Sequence, residues 1–273
     1  MNEEIAHVKS DSYLDIQAHV GVTKHNGGLA ATRELMRRCH AAEAREVLYV
    51  GSGIGVGPVT LVRETGCSVV AVDISEKMLE WSRLRAREAG LSSRIDVRLG
   101  DVCDLPFEHD RFDVVLVESV LAFVEDKPRA IQECVRVAAP GGRIGMNETV
   151  WLRRPATGKI TEQATALGAF ILSAEEWEQV WCKSGLVDLS THVRPVGVRK
   201  EMLSRIGWVG LRWSMRAFWR LLRLIAQQPA AREAIRSQFR APAGVVDLYG
   251  YVLATGRKPD PARRLRPDSI AGA

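Results

Sequence analysis

The stretch Val47-Leu48-Tyr49-Val50-Gly51-Ser52-Gly53-Ile54-Gly55 runs from an apolar, β-prone segment into glycines at alternate positions. Glycine lets backbone approach a ligand with no Cβ in the way, and it adopts dihedrals closed to other residues. A helical run follows from Pro58, which aims the positive end of a helix dipole at the same place. Asp73, 22 residues after Gly51, ends the next apolar run, where a carboxylate can accept hydrogen bonds from ribose hydroxyls. Together these point to a ligand that contains a nucleoside. Dinucleotide spacing fails: counted from Gly51 it needs glycine at 56, which is Val56, and counted from Gly53 it needs glycine at 58, which is Pro58. No Gly-x-x-x-x-Gly-Lys phosphate loop is present either, so a ligand without phosphates fits better.

These residues need a scaffold, and the hydrophobic pattern supplies one. Apolar runs at Glu46–Val50, Ser68–Val72, Arg94–Leu99, Phe112–Val117 and Arg143–Asn147 read as strands, the last entered through a Pro140-Gly141-Gly142 turn. Helical stretches lie between them: Pro58–Glu64, Glu76–Ala89 with Ser75 as N-cap, and Pro128–Ala138. Strands apolar throughout are buried on both faces, and strand alternating with helix predicts a parallel sheet of right-handed crossovers. Residues 1–45 read as a helical cap. Beyond Trp151 the pattern predicts a helix over Ala174–Ser184, a strand over Leu186–Val193, two helices within 199–240 and a strand over Asp247–Thr255. The predicted organisation is a cap (1–45), a core (46–198), a helical insertion (199–243), a closing strand (244–258) and a loose tail (259–273).

Bulk properties narrow the class. The 273 residues are 46% hydrophobic and 26% charged, ordinary for a globular protein, with apolar stretches too short for a membrane span. No basic region followed by an apolar run opens the chain, so no secretory leader is expected. The five cysteines (Cys39, Cys67, Cys103, Cys134, Cys182) form no CxxC pair, which argues against a zinc site and for a reducing, cytoplasmic setting. The net charge of +5 is local. Ten Lys/Arg against Glu201 and Glu233 make residues 199–240 +8, leaving −3 elsewhere, so no general nucleic-acid footprint is expected.

With these motifs in place the chain resembles the class I S-adenosylmethionine-dependent methyltransferases of the ubiquinone/menaquinone type. VGSGIG resembles their glycine motif. AVDIS (Ala71–Ser75) looks like the second-strand acid, GDVCDLPFEHDRFDVV (Gly100–Val115) the adenine-side aspartate with its following strand, and AIQECVRVAAPGGRI (Ala130–Ile144) the helix and Pro-Gly-Gly turn before the fifth strand. YGYVLATGRK (Tyr249–Lys258) is similar to the closing strand, while Tyr49 stands where the family commonly has an acid. The resemblance implies a doubly wound, seven-stranded, mostly parallel Rossmann-like sheet with an N-terminal helical cap and a helical insertion before the last strand. S-adenosylmethionine is the implied cofactor and a small molecule the implied acceptor. Gly51, Ser52, Gly53 and Gly55 would then pass the methionine part. Asp73 would hold the ribose, with Ile74 and Met78 flanking the adenine. Asp101 and the backbone of Val102 would meet the adenine amino group, and Glu118 and Ser119 would line the sulfonium.

Methyl transfer from a sulfonium needs alignment above all, and a base only when the acceptor must lose a proton. His25, in a His-Asn-Gly-Gly segment like one in the same family, Tyr13 and Glu148 are the candidates on the acceptor side. In the insertion, Trp208, Leu211, Met215, Phe218, Leu222 and Ile225 share one helical face and Arg212, Arg216, Arg220 and Arg223 another. Three readings are open for it: a helix packed on the core with a solvated basic face, a lid over a lipophilic or aromatic acceptor, or a weak membrane-surface contact through 208–225. A homodimer is compatible with all three. Two other function classes stay open. A nicotinamide-dependent oxidoreductase of the short-chain type would need Tyr-x-x-x-Lys, but the four tyrosines are followed by Gln17, Gly53, Leu253 and Thr255. A non-catalytic nucleoside or nucleic-acid binder would use the clustered arginines.

Overall fold

A computed structural model describes residues 13–23, 26–155, 158–166, 168–197, 209–229, 232 and 245–262. An eight-stranded sheet forms its centre, with the strands β1 (Glu46–Val50), β2 (Ser68–Asp73), β3 (Ile95–Leu99), β4 (Phe112–Glu118), β5 (Ala138–Trp151), β6 (Leu172–Ser173), β7 (Val187–Pro195) and β8 (Tyr249–Arg257). The strand order is β3-β2-β1-β4-β5-β8-β7, and the two-residue β6 pairs with β5 beside that path. Neighbours from β3 to β5 are parallel, and β8 runs antiparallel between β5 and β7. The predicted doubly wound, mostly parallel sheet is therefore present, with β6 as an eighth short strand.

Strand alternation divides the core. Leu48, Val50, Val70, Val72, Val115, Val117, Ile144 and Met146 face one side, with Trp177 and Trp181. Those two tryptophans lie on α7 (Ala174–Cys182), beside α5 (Lys127–Val137). Val47, Tyr49, Val69, Ala71, Val114 and Leu116 face the other, with Leu35, Cys39 and Leu61. These belong to the layer of α2 (Gly28–Arg38), α3 (Val56–Thr65) and α4 (Glu76–Glu88). Burial on both faces is why the strands carry few polar residues. Caps mark the helix starts: the Ser75 Oγ accepts from the Met78 N–H at 3.4 Å, Asp126 accepts from the Arg129 N–H at 3.1 Å ahead of Pro128, and Ser173 forms a capping box with Glu176.

Two departures from the sequence reading concern the site. The predicted Pro140-Gly141-Gly142 turn is an irregularity inside a 14-residue β5, where pairing with β4 jumps from Phe112↔Ala138 to Val114↔Arg143. β5 also runs past Asn147 to Trp151, because β8 pairs with it from Arg143 to Trp151. The cap, further, is two different things. α2 belongs to the core layer, through Ala31, Leu35 and Met36, whereas α1 (Tyr13–Val20) packs on α4 and on α8 (Leu211–Gln227) of the insertion.

Candidate active site

The sheet order reverses between β1 and β4, and open α/β sheets bind ligands outside the carboxyl ends of strands at such a point. The glycine turn lies there. Gly51 and Ser52 donate to the Val72 carbonyl at 2.8 and 2.9 Å, and Gly55 to the Ser52 carbonyl at 2.9 Å. Gly51 has φ +79°, and a Cβ on it would stand 2.2 Å from Val120 Cγ2 and 3.0 Å from the Glu118 carbonyl oxygen. Gly55 has φ +80°, and its Cβ would stand 2.8 Å from Ser82. Only glycine fits either position.

Asp73 ties this turn to β2. Gly53 donates its N–H to Asp73 Oδ2 at 2.8 Å and Ser75 to Oδ1 at 3.0 Å. Burial raises the Asp73 carboxyl above its ordinary range, and the N–H groups of Ser75 and Gly53 oppose that. Next to it the Ile74 side chain is 70% exposed, a free apolar surface at the strand end. Asp101 is exposed beyond β3, with Oδ1 accepting from the Cys103 N–H at 2.8 Å, while the Val102 side chain is buried in the core. Met78 does not join this surface. It is buried with Ala18, Ile54, Val56 and Trp213, because its position on α4 faces the packed cap.

The two strand-end glutamates take different places from those expected. Glu118 is buried, and its carboxylate accepts from the Tyr49 hydroxyl, from Thr32 Oγ1 at 3.2 and 3.0 Å, and from Asn147 Nδ2 at 3.1 Å. It fastens α2 to β1 and β5 instead of lining open space. Burial first, and the Glu118 charge second, push the Tyr49 phenol well above its ordinary range. Asn147 Nδ2 also donates to the Asn26 carbonyl at 3.0 Å, and Asn26 Nδ2 to Thr149 Oγ1 at 2.8 Å, which anchors the start of α2. Glu148, one of the candidates on the acceptor side, is fully buried. It accepts the N–H groups of Val120 and Leu121 at 2.9 Å each on one oxygen, and of Ala122 at 3.1 Å on the other. It is a positioning residue: it holds the turn whose Val120 packs against Gly51. Burial raises its carboxyl to about 7 against those three N–H groups and Lys127.

Ser119 stands between the two anchors with φ +56°. A non-glycine residue held there stores backbone strain, and such strain concentrates at functional sites. Its Oγ is buried without a hydrogen-bond partner, as are Ser52 Oγ, Ser82 Oγ and Asn147 Oδ1. Buried polar atoms are normally paired, so unpaired hydroxyls beside the glycine turn fit a ligand that brings its own polar groups. Of the remaining candidates, Tyr13 begins α1, and His25 lies outside the described residues.

One part of the site was invisible in the sequence. Arg85, on α4, donates Nε to the Ile54 carbonyl of the glycine turn at 2.9 Å and Nη1 to the Val209 carbonyl at 3.3 Å. Its guanidinium lies 4.1 Å over the Trp213 ring, and burial lowers its pKa to about 10. Trp81 meets Trp213 edge-on at 5.5 Å, and Arg220 caps Trp81 at 4.3 Å. Trp81 and Trp213 donate their indole N–H to the carbonyls of Ala18 and Gly21, both at 2.8 Å. α1, α4 and α8 thus form one roof beside the glycine turn. A surface hollow of about 610 Å³ lined by Arg83, Ser92, Arg94 and Asp96 lies at the amino ends of β2 and β3, the wrong end for this site.

Residues 48–146 match the family model described as a methyltransferase domain. The chain is 29% identical to the methyltransferase GfsG of Streptomyces halstedii over 85% of this chain and 81% of that protein. It is 26% identical to the 27-O-demethylrifamycin SV methyltransferase of Amycolatopsis mediterranei over 78% and 77%. Among solved structures it resembles the phosphoethanolamine N-methyltransferase 2 of Haemonchus contortus bound to S-adenosyl-L-methionine, with TM-score 0.68 and 18% identity. That match covers 92% of this chain and only 58% of the other. Glycine turn, strand-end acid, unpaired hydroxyls, sheet order and these relatives agree, and the chain is a class I S-adenosylmethionine-dependent methyltransferase.

Proposed function

We propose that the chain methylates a small lipophilic or aromatic acceptor. The observation that carries this is the apolar insertion: α8 is fastened to the glycine turn through Arg85 and Trp213, so a helix rich in Leu, Met, Phe and Trp stands at the edge of the site. The relative that acts on 27-O-demethylrifamycin SV supports a small-molecule acceptor and, by its name, an oxygen atom as the nucleophile. On this reading residues 199–243 set the acceptor range, while 46–198 bind the cofactor. The five cysteines are free thiols, which supports a reducing, cytoplasmic setting.

The proposed roles are these. The Asp73 carboxylate accepts from the ribose hydroxyls, and Ile74 presents its exposed face to the adenine. Asp101 and the backbone N–H of Val102 meet the adenine edge. The backbone at Gly51, Gly53 and Gly55 and the hydroxyls of Ser52 and Ser119 receive the amino-acid end. Bound S-adenosylmethionine supplies a methyl group on a positively charged sulfur. The chain contributes alignment, which can provide ~7–11 kcal/mol, and exclusion of water by the roof of α1 and α8. His25, beside the anchored Asn26, and Tyr13 are the proposed groups for taking a proton from a hydroxyl acceptor.

Calorimetry with S-adenosylmethionine, S-adenosylhomocysteine and NAD on the wild type and Asp73→Asn tests the cofactor side. Loss of charge-assisted bonds to two hydroxyls should weaken S-adenosylmethionine about 100-fold or more. Labelled methyl transfer to phenols, quinones and amines of graded lipophilicity then tests the acceptor. Equal turnover of lipophilic and strongly polar acceptors would overturn the reading.

A further inference from the structure

Helix α8 turns its large apolar side chains away from the protein. Trp213, Ala217 and Leu224 are buried against α1 and α4, whereas Leu211, Met215, Phe218, Trp219 and Leu222 are 65, 55, 56, 65 and 39% exposed. At 3.6 residues per turn these five share one arc opposite the buried one, and exposed Arg212, Arg216 and Arg223 follow along its Trp219 side. The helix carries four arginines and no acid. Arg216 approaches Glu88 at 3.5 Å, while Arg212 and Arg223 have no carboxylate partner among the described residues.

We propose that α8 is an interfacial helix that docks the enzyme on an anionic lipid bilayer. Its apolar arc would enter the headgroup boundary, with the arginine row at the level of the phosphates. Charge selects this occupant over a second copy of the chain: pairing two such helices would bring eight arginines together with no acid on either. The helix has 17 residues, and no described helix is long and apolar enough to cross a membrane, so the contact lies on the surface. Val209, just before α8, is tied to the Ile54 carbonyl through Arg85, so docking would bring the carboxyl ends of the strands to the lipid. A lipophilic acceptor could then enter without crossing water. That purpose rests on the proposed acceptor class; the docking itself is measured with no acceptor present.

The test is cosedimentation of the full chain with phosphatidylcholine vesicles and with vesicles containing about 30 mol% phosphatidylglycerol. The wild type should bind the anionic vesicles and scarcely the neutral ones. Phe218→Ser and Trp219→Ser should each lower the partition coefficient roughly tenfold, and Arg212→Gln and Arg223→Gln roughly fivefold each, with added salt acting in the same direction. All four sit on the outer surface, so S-adenosylmethionine affinity should stay at the wild-type value and report the fold. Equal binding to both vesicle types, or wild-type binding by the Phe218→Ser/Trp219→Ser pair, would overturn the proposal. So would a lipid-free dimer in sedimentation velocity that this pair dissolves, since a second copy would then cover the face. A wild type that binds S-adenosylmethionine and methylates lipophilic acceptors but ignores the vesicles refutes the docking alone.

Discussion

Glu148 makes a prediction whose sign follows from its surroundings. The carboxyl is fully buried and raised from 4.5 to about 7, with burial as the largest cause. Below pH 4.5 it is protonated in both folded and unfolded chains and has no effect on the balance. Between 4.5 and about 7 the unfolded chain releases the proton while the folded chain keeps it, so stability falls as pH rises. Above about 7 both states are ionised and the loss levels off. The displacement corresponds to about 3 kcal/mol at 1.36 kcal/mol per pKa unit. Glu148→Gln removes the titration while keeping an acceptor oxygen for two of the three N–H groups; its amide nitrogen would meet the third, at a cost of about 1–3 kcal/mol. The absolute difference between wild type and variant at one pH therefore decides nothing, but its slope does. Urea unfolding of both proteins from pH 4.5 to 8 should show the wild type losing about 3 kcal/mol relative to the variant by pH 7, then running parallel. Other titrating groups cancel in the difference. Curves parallel over the whole range would mean that Glu148 does not carry this buried charge, and the account of the 120–122 turn would fail with it.

Two further predictions concern the glycine turn and its support. Gly51→Ala should cost ~1–2 kcal/mol from the left-handed backbone, with a further loss from the overlap with Val120, and should weaken S-adenosylmethionine at least about tenfold. Adding Val120→Ala should restore the overlap part but not the backbone part, and an unchanged Tm in the single variant would contradict the geometry. Tyr49→Phe removes one of the donors to the Glu118 carboxylate and should destabilise by about 1.5–3 kcal/mol in urea; stability equal to wild type would show that the phenol contributes no bond there.

Much of the fold was legible because strands buried on both faces write their period into the sequence. Glu46–Val50 and Ser68–Asp73 are found within a residue of where their apolar runs placed them, and Ser75 caps α4 as its type suggested. Gly51, Gly53, Gly55 and Asp73 meet at the switch point because a glycine turn and a strand-end acid are local features. Direction is open in the sequence: the insertion admits three readings, and the structure decides which face packs, burying Trp213, Ala217 and Leu224 with Arg220 stacked on Trp81 and leaving the broader apolar arc outside. Stacking of guanidinium on indole buries an arginine without any apolar signal, so nothing in the sequence singles out Arg85, and Arg220 is indistinguishable there from its exposed neighbours. The partners that bury Met78 were not legible either, since the roof around it is built from α1 and α8, far away in the chain. The length of β5 also escaped, because pairing with the distant β8 and the two-residue β6 carries it on to Trp151.

Glu118 and Glu148 carry the larger lesson. Both look like chemistry in the sequence, acids at or just past strand ends, and the structure buries both in hydrogen-bond networks. Glu118 turns toward α2 and Glu148 toward the 120–122 turn, and Ser119 is stretched between them in a backbone conformation that costs ~1–3 kcal/mol. A strained residue persists only when its neighbours are fixed, and here each neighbour is fixed by a buried carboxylate satisfied by at least three donors. The groups left to face a ligand are then backbone, short hydroxyls, the acids Asp73 and Asp101 and the exposed Ile74. A surface of that kind suits a nucleoside. In the proposed function, removal of a proton from an acceptor falls to His25, in the segment before α2, and to Tyr13, at the start of α1.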